Sequence, residues 1–108
     1  PDLIVDRGEK REFCAGSIAK VFEEIGGKVN YFGKPYPLVY TQAAEVKGKK
    51  VLCIGDNLNT DIKGANLQNF SSLLILNGIH RNEANDSYEK LFEKYGVSVN
   101  YIQTILKW

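Results

Sequence analysis

A chain of 108 residues with 44% apolar content can build one small domain. Its 14 basic and 13 acidic residues are spread without blocks and leave a net charge of +1, so there is no electrostatic footprint for nucleic acid or for an anionic membrane. No run approaches the roughly 20 apolar residues of a membrane span and no signal-peptide pattern is present, so a soluble, cytoplasmic protein is expected.

Leu3 to Val5 reads as a short strand. Ala15, Ile18, Ala19, Phe22 and Ile25 then recur at helical spacing, and Gly26-Gly27 stops the helix. Val29 to Phe32 reads as a second extended piece, and Pro35 and Pro37 open a helix expected to run to about Val46. The apolar run Val51 to Ile54 predicts a strand buried on both faces. A helix from about Thr60 and a strand over Ser72 to Leu76 complete a βαβ unit. Asp86-Ser-Tyr-Glu89 has the form of a capping box, leading a helix that ends at Gly96. A strand near Val97 to Val99 and a helical turn through Ile105 close the reading. Cys14 and Cys53 belong to no Cys-x-x-Cys or Cys/His cluster and read as small core residues in a reducing compartment.

The most informative stretch is Val51 to Ala65. Gly55 turns the chain at the strand's carboxyl end, where open α/β sheets hold their ligands. Asp56 sits at that edge and Asp61 in the first turn of the next helix. One or two carboxylates, with water and a substrate phosphate completing the shell, are what Mg²⁺ prefers. The same acids also suit helix capping by Asn59 or Thr60 and a carboxylate favoured by the helix dipole, so spacing alone leaves both readings open. Gly27 to Lys34 is not a phosphate loop, because five residues separate Gly27 from Gly33 and Pro35 stands where a Ser or Thr must bind the metal. No Gly-x-Gly-x-x-Gly is present either.

Gly33-Lys34-Pro35-Tyr36-Pro37, followed about twenty residues later by Gly55-Asp56-Asn57-Leu58-Asn59-Thr60-Asp61-Ile62 and Gly64-Ala65, resembles the third and fourth motifs of the haloacid dehalogenase-like (HAD) phosphatases. Pro1-Asp2, the Ala15 to Ala19 helix with its glycine stop, and Leu74 to Ile79 resemble the subfamily whose α/β cap lies between the second and third motifs. The resemblance implies an α/β chain: residues 1–32 as the end of the cap and a linker, and residues 33–108 as the carboxyl-terminal half of a Rossmann-like core with parallel strands. It implies that Asp56 binds Mg²⁺, that Asp61 ligates the metal or orients its waters, and that Lys34 steadies the phosphoryl group and the nucleophile. Arg81 is a candidate for gripping an anionic substrate, because its fork can bind a phosphate at two points. His80 beside it reads as a solvated loop residue, and Asn57 and Asn59 as capping groups or as partners behind the ligands.

Enzymes of this family attack phosphorus with the first aspartate of an Asp-x-Asp motif, and no Asp-x-Asp occurs in the 108 residues. The function expected by resemblance is therefore the carboxyl-terminal part of a Mg²⁺-dependent phosphatase acting on a small phosphorylated metabolite. Its expected partner is the amino-terminal half of the same enzyme or a second copy of the chain, since in the resembled fold the strand Val51 to Ile54 lies beside the strand that bears the nucleophile. The alternative is a non-catalytic remnant that binds metal or a partner.

Overall fold

The computed structural model describes residues 1–43, 48–83 and 87–107. The chain opens with an antiparallel hairpin, β1 (Ile4–Arg7) and β2 (Lys10–Phe13), in which Ile4 lies opposite Phe13 and Asp6 opposite Arg11. Its two-residue loop begins with Gly8 at φ 62°, a conformation that favours glycine. Only the first of these strands is legible in the sequence, because Lys-Arg-Glu-Phe lacks the apolar alternation of a half-buried strand.

Helix α1 (Ala15–Glu24) follows as expected. Its apolar stripe nevertheless faces outward, with Ile18 and Ile25 74% and 76% exposed. Val29 to Phe32 joins no strand; there the Tyr31 ring stacks on Tyr36 with centroids 5.1 Å apart. Helix α2 (Pro37–Ala43) begins where proline's missing N–H does no harm. The remainder of the helix expected to reach Val46 lies outside the described residues.

The central unit is a three-stranded parallel sheet in the order β3 (Leu52–Gly55), β4 (Ser71–Ile75), β5 (Tyr101–Gln103). Cys53 lies opposite Ser72, and Leu74 opposite Ile102. Between β3 and β4 the chain forms a π-helical turn over Leu58–Ile62, in which the Ile62 N–H reaches the Asn57 carbonyl at 3.2 Å, and continues as α3 (Lys63–Leu67). Helix α4 (Tyr88–Tyr95) is capped by Ser87, whose Oγ accepts the Lys90 N–H; Asp86, expected to open the capping box, lies outside the described residues. The last strand falls at Tyr101–Gln103 in place of Val97 to Val99, and no helical turn follows it among the described residues. Val97 and Val99 instead pack as loop residues against the core.

That core is small: Leu58, Ile62, Leu74 and Leu91, flanked by Leu76, Phe92 and Tyr95. It covers one face of the sheet. On the other face Leu52 and Ile54 are 47% and 38% exposed, so β3 is not buried on both faces as its composition predicts. Both cysteines are half-buried free thiols.

Candidate active site

The chain leaves β3 at Gly55 and presents Asp56 at the carboxyl edge of the sheet. The Asp56 carboxylate is fixed through Oδ2, which accepts the Ile79 N–H at 2.9 Å. The loop after β4 comes this close because residue 78 is glycine: a Cβ there would lie 2.2 Å from the Asp56 Cβ. Oδ1 of Asp56 has no hydrogen-bond partner among the described residues.

Asp61 folds back beneath this turn from the π-helical segment. Its Oδ2 accepts the N–H groups of Asp56 and Asn57 at 3.2 and 3.1 Å, and its Oδ1 accepts from the Lys34 ammonium. A Cβ at position 55 would sit 2.2 Å from the Asp61 carboxylate carbon, so Gly55 makes room for this acid as well as turning the chain. The π geometry belongs to the same arrangement, since the wider turn carries Asp61 at a helix start, where its charge also meets the dipole. Lys34 precedes a cis peptide bond to Pro35. Burial opposes its charge, but the hydrogen bond and charge of Asp61 and the charge of Asp2 outweigh burial and hold its pKa above the ordinary value. Burial and the Asp61 charge push the nearby Cys53 thiol up.

The sequence-predicted site residues therefore fall into two sets. Lys34 and Asp61 form an ion pair under the turn that carries Asp56. Arg81 lies apart from Lys34 and joins Asp56 in lining a cavity of about 290 Å³, together with Asp6, Asn77 and Gly78. Arg81 is held by Asp6, to which Nη1 donates at 2.6 Å, and Asp6 also accepts from Arg11 Nε at 2.9 Å.

His80 is not solvated. Its side chain is 10% exposed, Nε2 accepts the Leu58 N–H at 3.2 Å, and Nδ1 lies 2.7 Å from Glu83. With Nε2 accepting, Nδ1 is the ring nitrogen left to donate to Glu83. Glu83 also receives Lys94 Nζ and Tyr95 Oη, and these donors hold its carboxyl at about 2 although burial pushes the other way. Asp2 is a further residue whose role here has no local signal in the sequence: its Oδ1 accepts from Asn57 and Thr60, more than fifty positions away.

Among the described residues no three His, Cys, Asp or Glu side chains converge as a ready metal cage. One unengaged oxygen on Asp56 with fixed groups behind it suits an ion that keeps most of its waters, as Mg²⁺ does.

Residues 31–97 match the HAD-hydrolase-like family profile. Over 49 residues, 44% of this chain and 14% of the relative, the sequence is 43% identical to the D-glycerol 3-phosphate phosphatase of Mycobacterium tuberculosis. The fold resembles that of a possible sugar phosphatase of the HAD superfamily from Cytophaga hutchinsonii, with TM-score 0.77 and 24% identity over all of this chain and 41% of that one. It also resembles glycerol phosphate phosphatase from Mycobacterium tuberculosis in complex with magnesium, with TM-score 0.69 and 27% identity over 94% of this chain and 30% of that one. The chain spans about a seventh of the length of the curated relatives it matches. With more than half of its residues under the family profile and its sheet, turn and lysine arranged as described, the chain belongs to the HAD-hydrolase-like family.

Proposed function

We propose that this chain supplies the metal-binding and phosphoryl-binding portion of a Mg²⁺-dependent phosphatase that acts on a small phosphorylated metabolite. Residues 1–32 are the end of its cap and residues 33–108 the carboxyl-terminal half of its core. The observation that carries the proposal is Asp56 at the carboxyl edge of β3, one oxygen tied to Ile79 and the other unengaged, above the Lys34–Asp61 pair.

The chemistry follows from charge. A carboxylate nucleophile approaching a dianionic phosphoryl group meets about 1 kcal/mol of repulsion per charge pair at 4 Å even in bulk water, and more in a closed site. Mg²⁺ when bound offsets that repulsion and polarises the phosphoryl oxygens. Asp56 would hold the ion. Asp61, whose two oxygens already serve Lys34 and two backbone N–H groups, fits the orienting role better than direct ligation. Lys34, kept protonated by Asp61, adds a fixed positive charge beside the ion. Arg81 would meet the substrate's anionic group in the cavity it shares with Asp56. The nucleophile, an Asp-x-Asp carboxylate that these 108 residues do not contain, would come from the amino-terminal half of the enzyme. A cytoplasmic setting accords with two free thiols and with the lack, among the described residues, of a helix long and apolar enough to cross a membrane.

Titration calorimetry tests the assignment. Wild type is expected to take one Mg²⁺ with a dissociation constant on the order of millimolar, given so few protein oxygens, and Asp56→Asn to bind at least about tenfold more weakly. Equal titrations would remove Asp56 as the ligand. A chain that turned over an aryl phosphate unaided, with the turnover lost in Asp56→Ala, would overturn the division of labour.

A further inference from the structure

Asp2 makes the longest-range polar contacts to the acid-bearing loop, and the catalytic reading gives them no role. Its Oδ1 accepts from Asn57 Nδ2 at 3.0 Å and from Thr60 Oγ1 at 2.7 Å. Asn57 directly follows Asp56, and Thr60 directly precedes Asp61, so one carboxylate oxygen grips the loop beside both acids. Thr60 is only 4% exposed, and its hydroxyl would otherwise be buried without an acceptor. The other end of the Asn57 amide is also committed, because Oδ1 accepts the Asn59 N–H at 2.9 Å; that bond fixes which way the amide faces.

The backbone of Asp2 is anchored just as closely. Gly16, in the first turn of α1, lies so near that a Cβ on it would come within 2.5 Å of the Asp2 carbonyl oxygen and 2.8 Å of that of Pro1. The next carbonyl, Leu3, accepts the Cys14 N–H at 2.8 Å and the Ser17 hydroxyl at 2.5 Å. Asp2 thus spans two bodies: its main chain belongs to the start of α1 and its side chain to the loop of Asp56 and Asp61.

We propose that Asp2 is a positioning residue that clamps Asn57 and Thr60, so that the loop offers Asp56 to Mg²⁺, with Asp61 behind it, in a single arrangement. The proposal rests on the magnesium reading above. Groups that orient metal ligands without touching the ion commonly contribute ten- to a hundredfold in affinity. The clamp also makes the loop's geometry depend on where α1 sits.

The test uses the whole 108-residue chain, Mg²⁺ calorimetry, and hydrogen exchange read by mass spectrometry. Asp2→Ala is expected to weaken Mg²⁺ binding by about tenfold and to speed exchange over residues 57–63 while leaving β4 protected. Asp2→Asn keeps an oxygen that accepts both bonds and is expected to restore affinity to within about twofold of wild type. The double variant Asp2→Ala/Thr60→Val should bind no more weakly than Asp2→Ala, since both changes remove one shared bond. Wild-type affinity in Asp2→Ala, or faster exchange throughout β4 as well, overturns the clamp. Should Asp2→Ala not fold, Thr60→Val carries the same expectation, with Asp2→Asn as its control, and wild-type binding and exchange in Thr60→Val would sink the proposal. If wild type takes no Mg²⁺, the magnesium reading fails separately, and exchange over 57–63 in the metal-free variants decides the clamp alone.

Discussion

Asp6 and Glu83 are the two carboxylates whose surroundings most alter their acidity. Hydrogen bonds from Arg11 and then Arg81 bring Asp6 down from 3.8 to about 2. Burial opposes the charge of Glu83, but Lys94, His80 and Tyr95 outweigh it and bring it from 4.5 to about 2. Both folded values lie below the unfolded ones, so the stability these groups contribute is present above about pH 4.5 and is lost as pH falls toward 2. Thermal melts of wild type, Asp6→Asn and Glu83→Gln should differ at pH 7, with wild type the most stable, and converge near pH 2. A gap that stayed constant across that range would mean that the hydrogen bonds matter without the charge. Asp56 and Asp61 are legible as candidates because a strand and a glycine turn set their places, whereas Lys34 is singled out only by the motif it resembles, its contact with Asp61 spanning 27 positions. Asp2 is not legible, since its contacts exist only once segments more than fifty positions apart meet.

At the scale of elements, the helices and the βαβ core are readable because period and punctuation agree: α4 carries Ser87 at its start and Gly96 at its end. Gly96 adopts the left-handed conformation at φ 61°, so Gly96→Ala should destabilise by about 1 kcal/mol, read as a shift in the denaturation midpoint without a change in slope. An unchanged midpoint would show that the helix end rearranges freely. The misread elements share another cause. The strand Lys10–Phe13 is polar because its hairpin lies on the surface, and Val97 and Val99 look like a strand yet serve as core plugs between α4 and β5. Tertiary position, not local preference, decides such segments. The π-helical turn has no periodic signature, because it exists to seat Asp61 under Gly55.

For the whole molecule, surface is the telling quantity. The chain exposes 7910 Å², whereas a folded monomer of its 12.1 kDa mass exposes roughly 6,000 Å². Among the described residues β3 pairs only with β4, and Leu52, Ile54 and Tyr101 stand exposed on the sheet face away from the core. An unpaired edge beside apolar surface recruits another chain, and at ~25 cal/mol per Å² several hundred Å² of such burial amounts to several kcal/mol. Sedimentation at micromolar concentration should therefore find the lone chain self-associated, and co-expression with an amino-terminal half that carries Asp-x-Asp should yield a soluble heterodimer. A compact monomer with a cooperative melt would refute this. The bridge from Arg81 to Asp6 crosses 75 positions and joins the hairpin to the loop beside Asp56. Asp6 and the Gly78 carbonyl engage only Nη1 of Arg81, so Nε and Nη2 have no partner among the described residues. Asp6 accepts from Arg11 as well, so one carboxylate joins two arginines from separate segments. One nitrogen thus pins the hairpin to the loop beside Asp56, while the other edge of the same guanidinium keeps its donors free.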